Sequence, residues 1–319
     1  MSKHKLSVVI PVYYNAESLP ELHERLSGLA DTHPSFELEI IFVDDYSGDD
    51  SYEVIRGIAA QDERVIARKR SRNFGSFNAC LAGLTRATGD CAAIISADLQ
   101  DPPELIGEMY ERWVAGAKVV MAVRARRQET FFRVLLSKIY YVVFRALVDN
   151  AMPRGGFDFV LIDRKVVDSV CAMQEKNTTL MGLILWTGFR RQEIPYTRVA
   201  RKYGKSRWSW SKKVNYFVDS LLAFTNLPIR LVTFLGIFAC LLSFLGVIYI
   251  FVAVALGWMD DVVGWPSLMT VILFIFSSMM ISIGILGEYV WRSLEESRKR
   301  PSFIVESEYR RDGSAAPDG

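Results

Sequence analysis

The chain has 319 residues, long enough for one large domain or two smaller ones around a sizeable core. Its formal net charge of +2 excludes a general electrostatic attraction to nucleic acid. The charge is segregated: between Arg230 and Glu288 the only ionisable residues of the Asp, Glu, Lys, Arg or His type are Asp260 and Asp261. Cys80, Cys91, Cys171 and Cys240 are scattered and form no CxxC pair, so neither a disulfide framework nor a zinc site is indicated and a reducing compartment fits best. The N-terminus runs from Met1-Ser-Lys-His-Lys5 straight into Leu6-Ser-Val-Val-Ile-Pro11, without the order of segments that makes a signal peptide.

From the N-terminus the pattern alternates between strand and helix. Leu6–Val12 is β-rich and ends in a turn, and Leu19, Leu22, Leu26 and Leu29 then have helical spacing. Leu38–Val43 predicts a second strand running into Asp44-Asp45, 52–60 a helix, and Val65–Ala67 a short strand. Helical sequence returns over 77–87, followed by a strand at Cys91–Ile95 that ends at Ser96-Ala97-Asp98, and another at Val119–Val123. The β-α-β-α order predicts an α/β fold with a mostly parallel sheet. Ligands in such sheets bind at the carboxyl ends of the strands, where Asp44, Asp45 and Asp98 all fall. No G-x-G-x-x-G follows the first strand and no Walker A lysine loop is present, which argues against dinucleotide enzymes and P-loop NTPases. Acids at strand ends suit a divalent cation on a diphosphate, because Mg²⁺ takes hard oxygens from one or two carboxylates plus phosphates.

The C-terminal third has a different character. Residues 231–257 and 265–288 are each long and apolar enough to span the ~30 Å hydrocarbon core, with Trp258 and Trp265 at the interfaces. Lys and Arg crowd 198–230 and 292–300, whereas the connecting loop carries only acids. The positive-inside rule then predicts a two-span membrane protein with the N-terminal domain and both termini cytoplasmic. The expected organisation is a cytoplasmic α/β domain over 1–207, an interfacial amphipathic helix over 208–229, a transmembrane hairpin over 230–290 and a cytoplasmic tail over 291–319. Val214, Phe217, Val218, Leu221 and Leu222 share one face of that interfacial helix. Phe132–Leu147 forms a second apolar stripe with interleaved Arg133, Lys138 and Arg145.

Seven short motifs in this order resemble a known family. They are Val9-Ile-Pro-Val-Tyr-Tyr-Asn15, Val43-Asp-Asp-Tyr-Ser47, Arg72-Asn-Phe-Gly75, Ala97-Asp-Leu-Gln-Asp-Pro-Pro-Glu104, Arg201-Lys-Tyr-Gly-Lys-Ser206, Gly287-Glu-Tyr289 and Arg300-Pro-Ser-Phe-Ile-Val305. Together with the two-span hairpin they are similar to the GT-A fold glycosyltransferases of family 2. The nearest resemblance is to the polyprenyl-phosphate glycosyltransferases of the bactoprenol glucosyltransferase type, with dolichyl-phosphate mannose synthases as more distant relatives. The resemblance implies a GT-A (Rossmann-like) sheet domain, a nucleotide-sugar donor such as UDP-glucose, a polyprenyl phosphate acceptor in a membrane, and Mg²⁺ or Mn²⁺. It leaves the donor open between UDP-glucose, GDP-mannose and a UDP-aminosugar, and leaves open a homo-oligomer or a degenerate, non-catalytic scaffold.

Carried over by motif, Pro11, Tyr13 and Asn15 would line the base and ribose pocket, Asp44 and Asp45 would hold the base or ribose, and Asn73 and Gly75 would close it. Asp98 and Gln100 would face the metal and diphosphate, with Arg201, Lys205 and Ser206 approaching the phosphates. One departure stands out: the family pattern Asp-x-Asp reads Ser96-x-Asp98 here, so one carboxylate is missing and Asp101 is the nearby candidate to replace it. The acceptor side is expected at Asp158, which follows Gly155-Gly156 and lies between the two amphipathic stretches. A phosphate monoester is largely dianionic at pH 7, with a second pKa of about 6, so Asp158 is expected to orient the acceptor as much as deprotonate it. The implied reaction is one in-line displacement with inversion.

Overall fold

The structure, a computed structural model, describes residues 3–126, 153, 156–173, 175, 178–200, 202–203, 227–256 and 264–311. The chain divides into two compact units, 1–220 together with 301–319, and 221–300.

The first unit is built on a sheet of eight strands: β1 (His4–Val12), β2 (Phe36–Asp44), β3 (Val65–Arg70), β4 (Cys91–Ile94), β5 (Val119–Arg126), β6 (Phe159–Asp163), β7 (Arg191–Thr197) and β8 (Val305–Tyr309). Their spatial order is β7-β5-β6-β4-β1-β2-β3-β8. Six helices belong to this unit among the described residues: α1 (Leu19–Thr32), α2 (Ser51–Gln61), α3 (Ser76–Leu84), α4 (Leu105–Val114), α5 (Arg164–Ala172) and α6 (Leu180–Trp186). β1 and β2 read as near-continuous apolar runs because both of their faces are covered, the sign of a central parallel strand. Ser7, the buried polar residue in β1, is satisfied by donating to the buried Glu39 carboxylate at 2.6 Å. Leu19, Leu22, Leu26 and Leu29 form the buried stripe by which α1 seats on the sheet.

Pairings β1–β2, β2–β3, β1–β4 and β5–β7 are parallel, while β4–β6, β5–β6 and β3–β8 are antiparallel, so the whole sheet is mixed. Two consequences decide where chemistry can occur. The chain builds β2 and β3 to one side of β1 and then crosses to place β4 on the other, which makes a topological switch point between β1 and β4. β6 runs against both β4 and β5, so its first residues lie at the edge where β4, β5 and β7 end.

The tail expected over 291–319 contributes a strand to the sheet. Val305–Tyr309 closes the β3 edge as β8, and Glu308 sits between Arg68 (2.7 Å) and Arg86 (2.9 Å). The Tyr52 hydroxyl meets the Ser307 hydroxyl at 2.9 Å, and Ser71 N–H donates to Ile304 O at 3.1 Å. An edge strand with alternating charges gives little apolar signal, which is why the sequence pattern conceals it.

The second unit holds α7 (Leu227–Ala255) and α8 (Trp265–Ser297), two helices long and apolar enough to cross a membrane. Among the described side chains many large apolar ones are exposed: Phe234 is 69% exposed, and Phe238, Phe244, Phe274 and Ile281 are exposed as well. Surface of that kind is unfavourable against water by about 25 cal/mol per Å² and suits a hydrocarbon surround. The helix that contains the span expected over 265–288 runs on to Ser297 through polar residues, with Glu288 and Arg292 paired across one turn at 3.1 Å. The interfacial helix expected over 208–229 lies outside the described residues up to 226, and Leu227–Ile229 open α7. Phe132–Leu147 and the loop with Asp260 and Asp261 also lie outside them.

Candidate active site at the carboxyl edge of the sheet

Three loops leave the switch-point edge, after β1, β2 and β4. Each contains a non-glycine residue in the left-handed region: Tyr14 (φ 59°), Tyr46 (φ 60°) and Leu99 (φ 58°). Backbone strain of this sort persists where surrounding contacts over-determine it, and it concentrates at functional sites. After β1, the Asn15 side chain accepts from Tyr13 N–H at 3.1 Å, and Asn15 N–H donates to the Ser51 hydroxyl at 2.9 Å. Pro11 lies beyond the last β1–β4 pair, so its missing N–H costs the ladder nothing. The Tyr13 and Tyr14 rings meet edge to face at 4.7 Å.

After β2, Asp44 and Asp45 are both buried. Asp44 accepts from Ser47 N–H at 3.1 Å. Asp45 accepts from the Phe74 and Gly75 amides at 2.9 and 3.0 Å and pairs with the fully buried Arg70 guanidinium. Gly75 has φ +90°, a conformation that strains any L side chain and that turns these amides onto the carboxylate. Gly75 N–H also meets the Asn73 side-chain oxygen at 3.2 Å, and Arg70 donates to Gly75 O at 2.9 Å. Burial pushes both carboxyls above their ordinary range, against Ser47 for Asp44 and against Arg70 and the two amides for Asp45. Burial likewise pulls Arg70 down, with Asp45 opposing it.

After β4, the Ser96 hydroxyl lies 2.8 Å from an Asp98 oxygen and 2.9 Å from an Asp101 oxygen. Gln100 is pinned to the loop after β7, its side-chain Nε2 donating to Val199 O at 3.3 Å and its backbone carbonyl accepting from Val199 N–H at 3.0 Å. Asp101 is fully buried, accepts from the Tyr196 hydroxyl, and pairs with Arg198 at 3.1 Å. The opposite side of the edge brings Asp158, at the start of β6, onto Arg124 near the end of β5. Asp158 is 59% exposed, whereas Arg124 is largely covered. Burial lowers the Arg124 pKa, but the Asp158 charge and the Tyr196 hydroxyl more than reverse this and hold it above the ordinary value.

The family model for glycosyl transferase family 2 matches residues 7–171, more than half of the chain and nearly all of this sheet edge. The chain belongs to glycosyl transferase family 2. It is 37% identical to an uncharacterized glycosyltransferase, YkcC, of Bacillus subtilis (strain 168), over 97% of this chain and 96% of that one. It is 33% identical to the bactoprenol glucosyl transferase of Shigella phage SfV, over 95% of this chain and 99% of that one. A solved glucosyl-3-phosphoglycerate synthase from Mycobacterium tuberculosis, in complex with Mn²⁺, UDP and glucosyl-3-phosphoglycerate, superposes with a TM-score of 0.49 at 15% identity, over 69% of this chain and 78% of that one.

In this glycosyltransferase the edge gathers Pro11, Tyr13, Asn15, Asp44, Asp45, Asn73 and Gly75 around β1–β3, and Asp98 and Gln100 after β4. Arg201, Lys205 and Ser206 lie outside the described residues. Among the described residues no three His, Cys, Asp or Glu side chains cluster as a self-sufficient metal cage. The Asp98 carboxylate and the Gln100 amide carbonyl are hard oxygen donors, a set that fits Mg²⁺ or Mn²⁺ completed by phosphate oxygens. Asp101, the candidate replacement for the missing carboxylate, contacts Tyr196, Arg198 and Ser96. Arg70, Arg124, Tyr196 and Arg198 escape a reading of the sequence. The usable signal was positional: Arg124 closes an expected strand, and Arg70 stands within the basic run Arg68-Lys-Arg70-Ser-Arg72.

Proposed function

We propose that this glycosyltransferase moves a hexose, glucose from UDP-glucose, onto a polyprenyl phosphate by a single inverting displacement at the cytoplasmic face of the inner membrane. The observation that carries the proposal is the meeting, at one sheet edge, of the buried Asp44 and Asp45 after β2, the loop with Asp98 and Gln100 after β4, and the exposed Asp158 carboxylate paired with Arg124. Two membrane-length helices in the same chain and the similarity to a bactoprenol glucosyl transferase support a lipid acceptor.

In this reading Tyr13, Asn15, Asp44 and Asp45 hold the base and ribose, with the turn at Asn73–Gly75 closing over them. Asp98 and Gln100 hold the cation, which when bound neutralises charge on the leaving diphosphate. Arg201, Lys205 and Ser206 add donors to the same phosphates. Asp158 faces the acceptor. Its ion pair with Arg124 favours an orienting role, and a lipid phosphate already dianionic at pH 7 needs little help from a base.

The test is incubation of the purified protein with polyprenyl phosphate and radiolabelled UDP-glucose, GDP-mannose or a UDP-aminosugar, with and without EDTA. Labelled lipid from UDP-glucose alone, abolished by EDTA and restored by Mg²⁺ or Mn²⁺, is expected. Its anomeric coupling should be that of the β-linked sugar. Full activity in the chelator, or an α-linked product, refutes the mechanism. Transfer from another donor corrects the sugar and leaves the reaction class standing.

A further inference from the structure

The Ser96 hydroxyl owns one proton yet faces two carboxylates, Asp98 at 2.8 Å and Asp101 at 2.9 Å. Ionised carboxylates only accept, so Ser96 donates to one of them at a time. Asp101 is the immobile partner. It is fully buried, the Tyr196 hydroxyl donates to its Oδ1, and Arg198 approaches through Nε at 3.1 Å and Nη2 at 3.4 Å. Tyr196 stands opposite Arg124 in the β5–β7 register, and Arg124 pairs with Asp158. A line of polar groups therefore runs Asp98–Ser96–Asp101–Tyr196 through hydrogen bonds, and passes by the cross-strand neighbour Arg124 to Asp158, from the end of β4 to the start of β6.

We propose that Ser96, Asp101 and Tyr196 are positioning residues that couple the donor-side carboxylate Asp98 to the acceptor-side carboxylate Asp158. Asp101 acts through Ser96 and is not itself a cation ligand. This rests on the roles of Asp98 and Asp158 proposed above. The donor count supports it: both Asp101 oxygens are already committed, and turning one to a cation would bring that cation against the Arg198 charge. Serine in place of a carboxylate removes one negative charge from the loop but supplies a rotor. Its proton can swing to Asp101 when Asp98 is drawn toward a cation. Tyr196 touches neither the cation nor the sugar, but it is the link through which a disturbance at Asp101 reaches Arg124.

The experiment compares full-length wild type with Ser96→Ala, Tyr196→Phe and the double variant. Mn²⁺ affinity in the presence of UDP is read without turnover from the electron paramagnetic resonance of free Mn²⁺, and steady-state kinetics are taken at saturating Mn²⁺. Each single change is expected to weaken Mn²⁺ about 10-fold, the scale of one hydrogen bond to a charged group. The double variant should lose no more than the worse single, as members of one network do. Tyr196→Phe should also lower kcat more than it changes the KM for the nucleotide sugar. Ser96→Thr, which keeps the hydroxyl, should bind Mn²⁺ like wild type and guards against a folding defect. Losses that multiply in the double variant, or a folded Tyr196→Phe with unchanged Mn²⁺ affinity and kcat, overturn the coupling alone. A wild type that binds no Mn²⁺ with UDP overturns the proposed function along with it.

Discussion

Replacing Arg70 by methionine tests how the nucleotide side of the site is held. The Arg70 side chain is 0% exposed and that of Asp45 is 5% exposed, so the exchange leaves a carboxylate buried without its cation. Breaking such a pair from one side costs about 3–5 kcal/mol. Asp45 keeps the Phe74 and Gly75 amides, and Arg70 Nε and Nη1 are buried without hydrogen-bond partners, a penalty that methionine relieves. Both facts favour the lower bound, about 3 kcal/mol. For a unit of this size that is a drop of roughly 6–12 °C in melting temperature. Arg70→Met should also weaken UDP, because the Asn73–Gly75 turn loses the guanidinium that accompanies Asp45 and bonds Gly75 O. The double variant Asp45→Asn/Arg70→Met should recover most of the lost melting temperature, since no uncompensated charge remains. Thermal melts of the purified protein with and without UDP provide the measurement. A single variant melting within about 2 °C of wild type, or a double variant less stable than the single, refutes the reasoning.

Other expectations follow from the same structure. Asp158→Asn should lower kcat by roughly 10²-fold while the nucleotide-sugar KM stays close to wild type, and a variant that instead fails to bind donor would move the acceptor site elsewhere. Burial works against Asp62, but hydrogen bonds from Arg64 and His23 hold its carboxyl well below the usual carboxylate range. Its stabilisation is therefore intact above the unfolded pKa of about 3.9 and is lost as pH falls through the folded value. Asp62→Asn should flatten the acid limb of melting temperature against pH and lower the neutral plateau, and an unchanged profile would contradict the pairing. For topology, a cysteine at Asp261 in a background free of native cysteines should react with an impermeant thiol reagent in intact cells, and one at Ser314 should not. The reverse pattern would put the sheet domain on the wrong side for cytoplasmic nucleotide sugars.

The half of the sheet that makes the switch point was legible because its strands are buried on both faces and read as apolar runs ending in acids. Asp44, Asp45 and Asp98 could be placed at one edge from that pattern alone. β7 was not legible, since only Ile194 and Tyr196 point inward from Arg191–Thr197 and the flanking charges hide them. β8 was concealed in the same way, its Glu308 finding Arg68 and Arg86 far away in sequence. Arg70 reads as one member of a solvated basic run, and only the approach of Asp45 from the neighbouring strand reveals it as buried. Ser96 was visible as a departure, but its compensation is spatial. Asp101 read as a candidate carboxylate for the cation, and its contacts with Tyr196 and Arg198 are invisible in the sequence because they come from β7 and the loop after it.

The central claim is that a sugar reaches a lipid phosphate, and the most direct measurement varies the acceptor alone. Purified protein with UDP-[¹⁴C]glucose and Mg²⁺ is given polyprenyl phosphate, the dephosphorylated polyprenol, or neither, and the label is partitioned between organic and aqueous phases. Label should enter the organic phase only with polyprenyl phosphate and should be lost in Asp98→Ala. Equal transfer to polyprenol, or release of free glucose with no labelled lipid under any acceptor, would contradict the account.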